Sequence, residues 1–413
     1  MIKISDVKVD KLFDNILISM FIFYPEIEKY IWRFVAILTS VVNARFSRET
    51  ISMAVWFILL IVFFRQFGER IKVKDVLKYV GICIVMILFY LFPSHNEFTM
   101  ERLFSFIFTV LPAYFCGKIY MYDEDQKKFI YKAAAIITVL SIVYNYMFMA
   151  PRQMLGENNM NTSYNILPSI LILLAAAFEN KRYRVLSVAG IFYMITLGTR
   201  GALLCIGIFL LLMLIKTVRK RKIIAFACVA TVVFSYLVSS GIFLKGIVLL
   251  SEQIERMGLS TRILSLIEEE EITNSTGRED ISGMVIENIL EDPVKVRGPY
   301  WDRKVIKGTT FSGIQFLSDS QTYTHNFFLE ILCQYGIILG GIICVYVLYK
   351  MIRVLIKTDK NKYYIPAIFI CCGFVVLMVS NSYLLSSKFF FLMGLCLNTT
   401  FLKSTEDNKY ENL

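Results

Sequence analysis

The chain has 413 residues, which by length alone accommodates two or three soluble domains. Composition excludes that architecture: 56% of residues are hydrophobic, 15% aromatic and only 19% charged, with a mean hydropathy of +0.59, whereas soluble domains are about a quarter charged. The net charge of +11 lies mostly in short clusters between apolar runs, so it reads as a signal that orients helices, not as a nucleic-acid surface. Nine cysteines sit inside apolar segments with no CxxC pair, and there are two histidines. Neither a disulfide frame nor a histidine-rich metal site fits that pattern.

The N-terminal stretch MIKISDVKVDKLFDN leads into apolar sequence without a small-residue cleavage site, so the first span is expected to stay as an anchor. Runs 12–24 and 31–43 flank Pro25, Glu26, Glu28 and Lys29 and give either one span or a tight hairpin. Spans are then expected at 47–67, 79–92, 103–121, 129–149, 164–179, 223–243, 326–349, 364–381 and 386–402. The stretch 185–215 separates two basic clusters, Lys181–Arg184 and Lys216–Lys222, and has 31 residues. As one helix it would be about 46 Å long and would put one cluster outside. It is better read as two short helices turning at Gly198-Thr199-Arg200-Gly201. With a single first span, the fold class is an all-α polytopic membrane protein of about twelve helices with both ends cytoplasmic.

From Leu244 to Thr324 there is no spanning segment, and this stretch holds 13 acidic and 9 basic residues. It falls on the outer face, and its fragments IVLLSEQIERMGL and ISGMVIENILEDP have helical spacing. A structureless loop of this length is unusual, so a small, mostly helical extracytoplasmic subdomain is expected. The organisation is thus an N-terminal bundle (1–243), the outer loop (244–324), three C-terminal helices (325–402) and a cytoplasmic tail (403–413).

Four polar stretches stand out, all on the outer side. They are PRQMLGENNMNTSYN with Arg152 and Asn161, GTRGALL with Arg200, the loop arginines Arg262, Arg278 (in STGRED) and Arg297 (in VRGPY), and YTHN with Tyr323, His325 and Asn326. Each has a bland alternative: a headgroup contact for Arg152, a helix cap for the Thr276–Glu279 stretch, an ordinary interfacial position for His325, and helix packing for Gly336, Gly340 and Gly341. Arg200 resists one, because a charge in a tight apolar turn is costly without a partner. Outward arginines around a membrane cavity suit a diphosphate, which guanidinium binds in bidentate fashion. A histidine can take the proton of an attacking hydroxyl near neutral pH. No DxD-like metal motif accompanies them, and the acidic run Glu268–Glu271 reads as a solvated patch, so no metal or other cofactor is expected.

The order of these motifs is an asparagine-rich RxxxG…N loop, TRGA, a long outer loop with R…TGR…P…G, then HN and nine residues to a glycine. It resembles the bacterial O-antigen polymerase (Wzy) and O-antigen ligase superfamily over roughly residues 150–350. The resemblance implies a metal-independent, inverting glycosyltransferase of the C-type membrane architecture. It would act on undecaprenyl-diphosphate-linked oligosaccharides at the periplasmic face of the inner membrane. Arg200 and Arg278 would then hold the donor diphosphate and His325 would activate the acceptor hydroxyl. Arg152, Arg262, Arg297, Asn161, Asn326 and Tyr323 would line the substrate. Donor and acceptor lipids, the bilayer, a chain-length regulator and a flippase would be the partners, with no nucleic acid. Two elements depart from the family pattern: Gly340 follows Gly336 where GxxG is common, and the P…GxG element reads Pro293…Arg297-Gly298-Pro299.

Polymerase is favoured over ligase by the aromatic-rich, low-complexity aliphatic spans, a likeness to strain-specific polymerases and not a reading of the acceptor site. A flippase or exporter of lipid-linked sugars also has about twelve spans, but the long outer loop and the lack of visible repeats count against it. A histidine base separates the classes, since glycosyl transfer loses ~10²–10⁴-fold without it.

Overall fold

A computed structural model describes residues 72–91, 100–149, 159–217, 278–307 and 323–402, most of 15–31, the pairs 310–311 and 314–315, and three isolated positions. Apart from the isolated positions 57, 61 and 253, the expected spans at 47–67 and 223–243, the fragment IVLLSEQIERMGL, Arg152 and Arg262 lie outside the described residues. So do residues 32–43, and with them the choice between one span and a hairpin over 12–43.

Every described position from 15 to 31 is helical, including those on both sides of Pro25 and Glu28. Of the polar cluster, Glu26 and Lys29 are thus helical. Glu26 is fully buried, and its carboxylate accepts hydrogen bonds from Ser141 Oγ (2.9 Å) and Tyr30 OH (3.2 Å). These donors offset part of the cost of burying a charge.

Helix α1 (Val73–Leu91) exposes Val76, Leu77, Val80, Ile84 and Leu88, as a lipid-facing helix does. Helix α2 (Met100–Ser105) passes through a π turn (Phe106–Val110) into α3 (Leu111–Ile119). Pro112 explains the wide turn. It has no N–H for the preceding helical carbonyl, and its ring pushes that carbonyl aside. Helix α4 (Glu124–Tyr144), capped by Asp123, packs along α5 (Asn159–Glu179), whose residues 166–176 are almost wholly buried.

The expected hairpin is present. Helix α6 (Arg184–Thr196) and α7 (Arg200–Thr217) are joined at Leu197–Thr199, with Gly198 at φ 72°. Helix α6 runs antiparallel to α5: Ser187 Oγ bonds Leu173 O near one end (2.9 Å), and Ser163 Oγ bonds Thr199 Oγ1 at the other (2.8 Å).

In the outer loop, α8 (Arg278–Glu291) covers the expected ISGMVIENILE helix and stops before Pro293. Ile281, Val285 and Ile289, spaced by four, pack with Ile306 of α9 (Trp301–Ile306) and Cys333. The described part of the loop is not wholly helical: β1 (Thr310–Phe311) and β2 (Ile314–Gln315) pair antiparallel. The β-branched and aromatic residues around Ser312-Gly313 carry the hairpin signal in sequence.

Helix α10 (Phe327–Lys357) is broken at Gly336, where φ is 72° and ψ 171°. A side chain there would be strained, and a Cβ would come within 3.0 Å of the Pro293 and Lys295 carbonyl oxygens. The freed backbone groups are satisfied by the outer loop. Arg297 N and Gly298 N donate to Gln334 O (2.9 and 2.8 Å), and Ile337 N donates to Pro293 O (2.7 Å). Gly336 is thus a helix breaker and not only the packing residue expected from sequence.

The expected span 364–381 also differs. Helix α11 (Tyr364–Phe369) gives way to a π turn (Ile370–Phe374), a 3-10 turn (Val375–Met378) and an irregular segment before α12 (Ser387–Cys396). Helices α3 and α12 cross with Gly117 and Gly394 against each other's backbones, where a Cβ on either would clash.

Among the described residues, Glu124–Met147, Met160–Glu179 and Phe327–Lys357 are long and apolar enough to cross a membrane. Leu103–Ile119, Tyr364–Met378 and Ser387–Cys396 are apolar but shorter. The chain is a helical membrane protein. The count of twelve spans rests on sequence.

Candidate functional site

Two ends of the bundle can be told apart. One gathers basic residues: Lys127 pairs with Glu179 (2.7 Å), Lys216 lies over the Tyr363 ring (5.1 Å), and Lys362 lies over Tyr122 (5.8 Å). Here the C-terminal ends of α5 and α7 meet the N-terminal ends of α4 and α11. The other end holds the starts of α5, α7, α10 and α12.

At this second end, α10 is capped by Asn326, whose Oδ1 accepts from Phe328 N (2.9 Å) and Leu329 N (3.3 Å). The residue before the cap, His325, adopts φ 52°, and its half-buried ring lies 4.0 Å from that of Tyr323, centroid to centroid. Left-handed backbone at a non-glycine residue carries a conformational cost that tends to occur where position matters. Tyr323 OH in turn meets Ser380 Oγ at 3.3 Å.

Ser380 belongs to the irregular segment between α11 and α12. Its turn is held by Ser380 N to Val376 O (2.7 Å), by Asn381 at φ 77° and by Ser382 N to Asn381 Oδ1 (2.8 Å). Non-helical backbone of this kind persists inside a membrane bundle only where protein or a polar cavity satisfies it. The same segment reaches the arginine turn: Val379 and the Tyr164 hydroxyl both press on Gly201, leaving no room for a Cβ. Arg200 is half-buried at the first position of α7, beside the Ser163–Thr199 hydrogen bond. The histidine loop and the arginine turn therefore lie on either side of Val379-Ser380.

Behind the histidine loop is a buried polar set that the sequence reading did not single out. Gln334 Nε2 donates to Asp302 Oδ1 (2.8 Å), and Tyr383 OH donates to Gln334 Oε1 (2.7 Å). Ser382 Oγ donates to Glu330, which also accepts from Tyr383 N (3.3 Å). The Arg303 guanidinium, 1% exposed, lies 5.3 Å from the Tyr300 ring and 5.9 Å from the Tyr323 ring. Burial pushes the Asp302 carboxyl above the usual carboxylate range, with the Arg303 charge and the Gln334 hydrogen bond drawing it back. This set ties α9 of the outer loop to α10 and to the turn after α11.

The remaining sequence candidates are placed as follows. Arg278 opens α8. Arg297 is nearly buried and donates to Asn288 O (2.8 Å) and Lys295 O (3.5 Å), so it braces the loop that breaks α10. Asn161 is exposed on the first turn of α5. One further cation sits at this end: Lys388, on α12, donates from Nζ to Tyr164 O at 3.4 Å. As ionisable residues within apolar runs, Glu330 and Lys388 carried a signal in sequence. Asp302 and Arg303 carried none. Among the described residues no cluster of three or more histidine, cysteine or acidic side chains is placed to hold a metal ion.

These features define a helical membrane protein with a polar, cation-bearing site at one end of its bundle. Residues 185–345 match the family model described as O-antigen ligase (Wzy_C), and this match supports the O-antigen polymerase and ligase superfamily. The matched stretch holds Arg200, Arg278, His325 and Gly336, but not Tyr164 or Lys388. The family implies a glycosyltransferase-like enzyme of surface-polysaccharide processing. No curated protein and no solved structure matches the chain.

Proposed function

We propose that the protein is an O-antigen or related surface-polysaccharide polymerase. It joins undecaprenyl-diphosphate-linked repeat units at the outer face of the inner membrane by inverting glycosyl transfer. The observation that carries the reading is the approach of the Arg200 turn and the His325 loop to one irregular segment, Val379-Ser380, at the end of the bundle opposite the basic clusters.

In this mechanism His325 takes the proton of the acceptor hydroxyl as the oxygen attacks the donor's anomeric carbon. The bond from that carbon to the diphosphate oxygen breaks, and undecaprenyl diphosphate leaves with its electron pair. Arg200 and Arg278 stabilise the charge that builds on the leaving group. Asn326 and Tyr323 hold His325 in place, one through the helix cap and the other through ring contact and Ser380.

The description of the family model favours a second reading, a ligase that transfers finished polymer to lipid A–core. The polysaccharide of a deletion strain separates the two. A polymerase deletion leaves single repeat units on lipid A–core, restored to a ladder by the wild-type gene. A ligase deletion leaves no attached sugar and accumulates lipid-linked polymer.

A further inference from the structure

Lys388 is the second residue of α12 and lies outside the segment matched by the family model. The residue is half-buried in the bundle. Among the described residues it has no ion-pair partner. Its hydrogen bond is to Tyr164 O at 3.4 Å, longer than an ordinary N–H···O bond. The carboxylate that acts on it is that of Glu26, already held by Ser141 and Tyr30. Holding an ammonium inside a membrane bundle with no carboxylate in direct contact is costly, and such residues mark places where a charged ligand can supply the contact.

The position of Lys388 says which ligand. Tyr164 separates it from the arginine turn: the Tyr164 carbonyl accepts from Lys388, and its hydroxyl presses on Gly201, next to Arg200. Lys388 also opens the helix that follows the Ser380–Ser386 segment, which contacts Tyr323 and thus His325. Lys388 and the Arg200 turn thus belong to different helices that meet the same tyrosine, and a diphosphate has one phosphate to offer to each cation.

We propose that Lys388 binds the diphosphate of the lipid-linked donor together with Arg200. This deepens the polymerase reading and rests on it. Arginine supplies the planar, bidentate contact, and lysine a point charge that adapts to either phosphate.

The test uses the purified full-length protein in nanodiscs with a lipid-linked repeat unit as donor. Lys388→Gln should raise the donor KM by roughly 10- to 100-fold, the loss expected for one charge-assisted hydrogen bond. It should weaken inhibition by inorganic pyrophosphate to a similar degree, and Lys388→Arg should recover most of both. In wild-type protein, inorganic pyrophosphate should protect Lys388 from an amine-reactive reagent, read by mass spectrometry. The labelling holds even where a variant fails to fold. Unchanged donor KM and pyrophosphate inhibition in folded Lys388→Gln, or equal labelling with and without pyrophosphate, overturns the role of Lys388. The polymerase reading then survives if Arg200→Ala and His325→Ala are still inactive, and it falls separately if those two make normal polymer.

Discussion

The two ends of the bundle carry similar charges and use them differently. At the basic end several described cations are answered within the protein. Lys118 pairs with Asp75, Lys127 with Glu179, and Lys216 and Lys362 lie over the rings of Tyr363 and Tyr122. At the other end the carboxylates Asp302 and Glu330 are withdrawn into a buried set with Gln334, Tyr383 and Ser382, and Lys388 meets a carbonyl. Charge answered by protein serves packing and topology. An ammonium held by a carbonyl beside the Arg200 turn is, on the proposal above, placed for an anionic ligand. This contrast ties the positive-inside pattern and the proposed glycosyl transfer to one structure.

The sharpest way to break the contrast is to remove the proposed base. His325→Ala should lower turnover by ~10²–10⁴-fold with membrane abundance unchanged, measured on purified protein with lipid-linked donor. Arg200→Ala should also abolish visible polymer. Arg200→Lys should rescue it poorly, because an ammonium cannot reproduce the bidentate contact.

Structural support for the site end can be tested apart from chemistry. Gly336→Ala puts a Cβ on a residue at φ 72° and within 3.0 Å of two carbonyl oxygens, and should cost about 1–3 kcal/mol, read from thermal unfolding. Asp302 gives a pH signature. Its folded pKa is raised above the unfolded value of about 4, so the associated stability is fully present below that pH. It is lost as pH rises through the folded pKa, and Asp302→Asn should flatten that fall in an unfolding series. The smallest effect belongs to the basic end: Lys127→Ala should cost about 1 kcal/mol, because its partner Glu179 is 44% exposed and solvent screens the pair, and should leave polymer intact.

Local signals in the sequence marked local features. The turn at Gly198–Arg200 followed from the length between two basic clusters, and the α8 helix from apolar spacing. Features made by contacts distant in sequence were hidden. Hydropathy reads 364–381 as one span because it averages composition and is blind to the change from α to π to 3-10 winding. Gly336 resembled a packing glycine because its partners, the 293–298 loop, lie some 40 residues earlier. Arg297 looked like a substrate arginine, yet its described hydrogen bonds brace that loop. The expected spans 364–381 and 386–402 pass over the polar run Ser380-Asn381-Ser382, and its contacts with Tyr323 and Glu330 tie it to the site.

The most direct test of the contrast between the ends is the polysaccharide ladder of a deletion strain complemented with wild type, His325→Ala or Lys216→Ala. The account predicts a full ladder from wild type and Lys216→Ala, and none from His325→Ala present at wild-type abundance. A full ladder from His325→Ala, or loss of the ladder with Lys216→Ala alone, would contradict it.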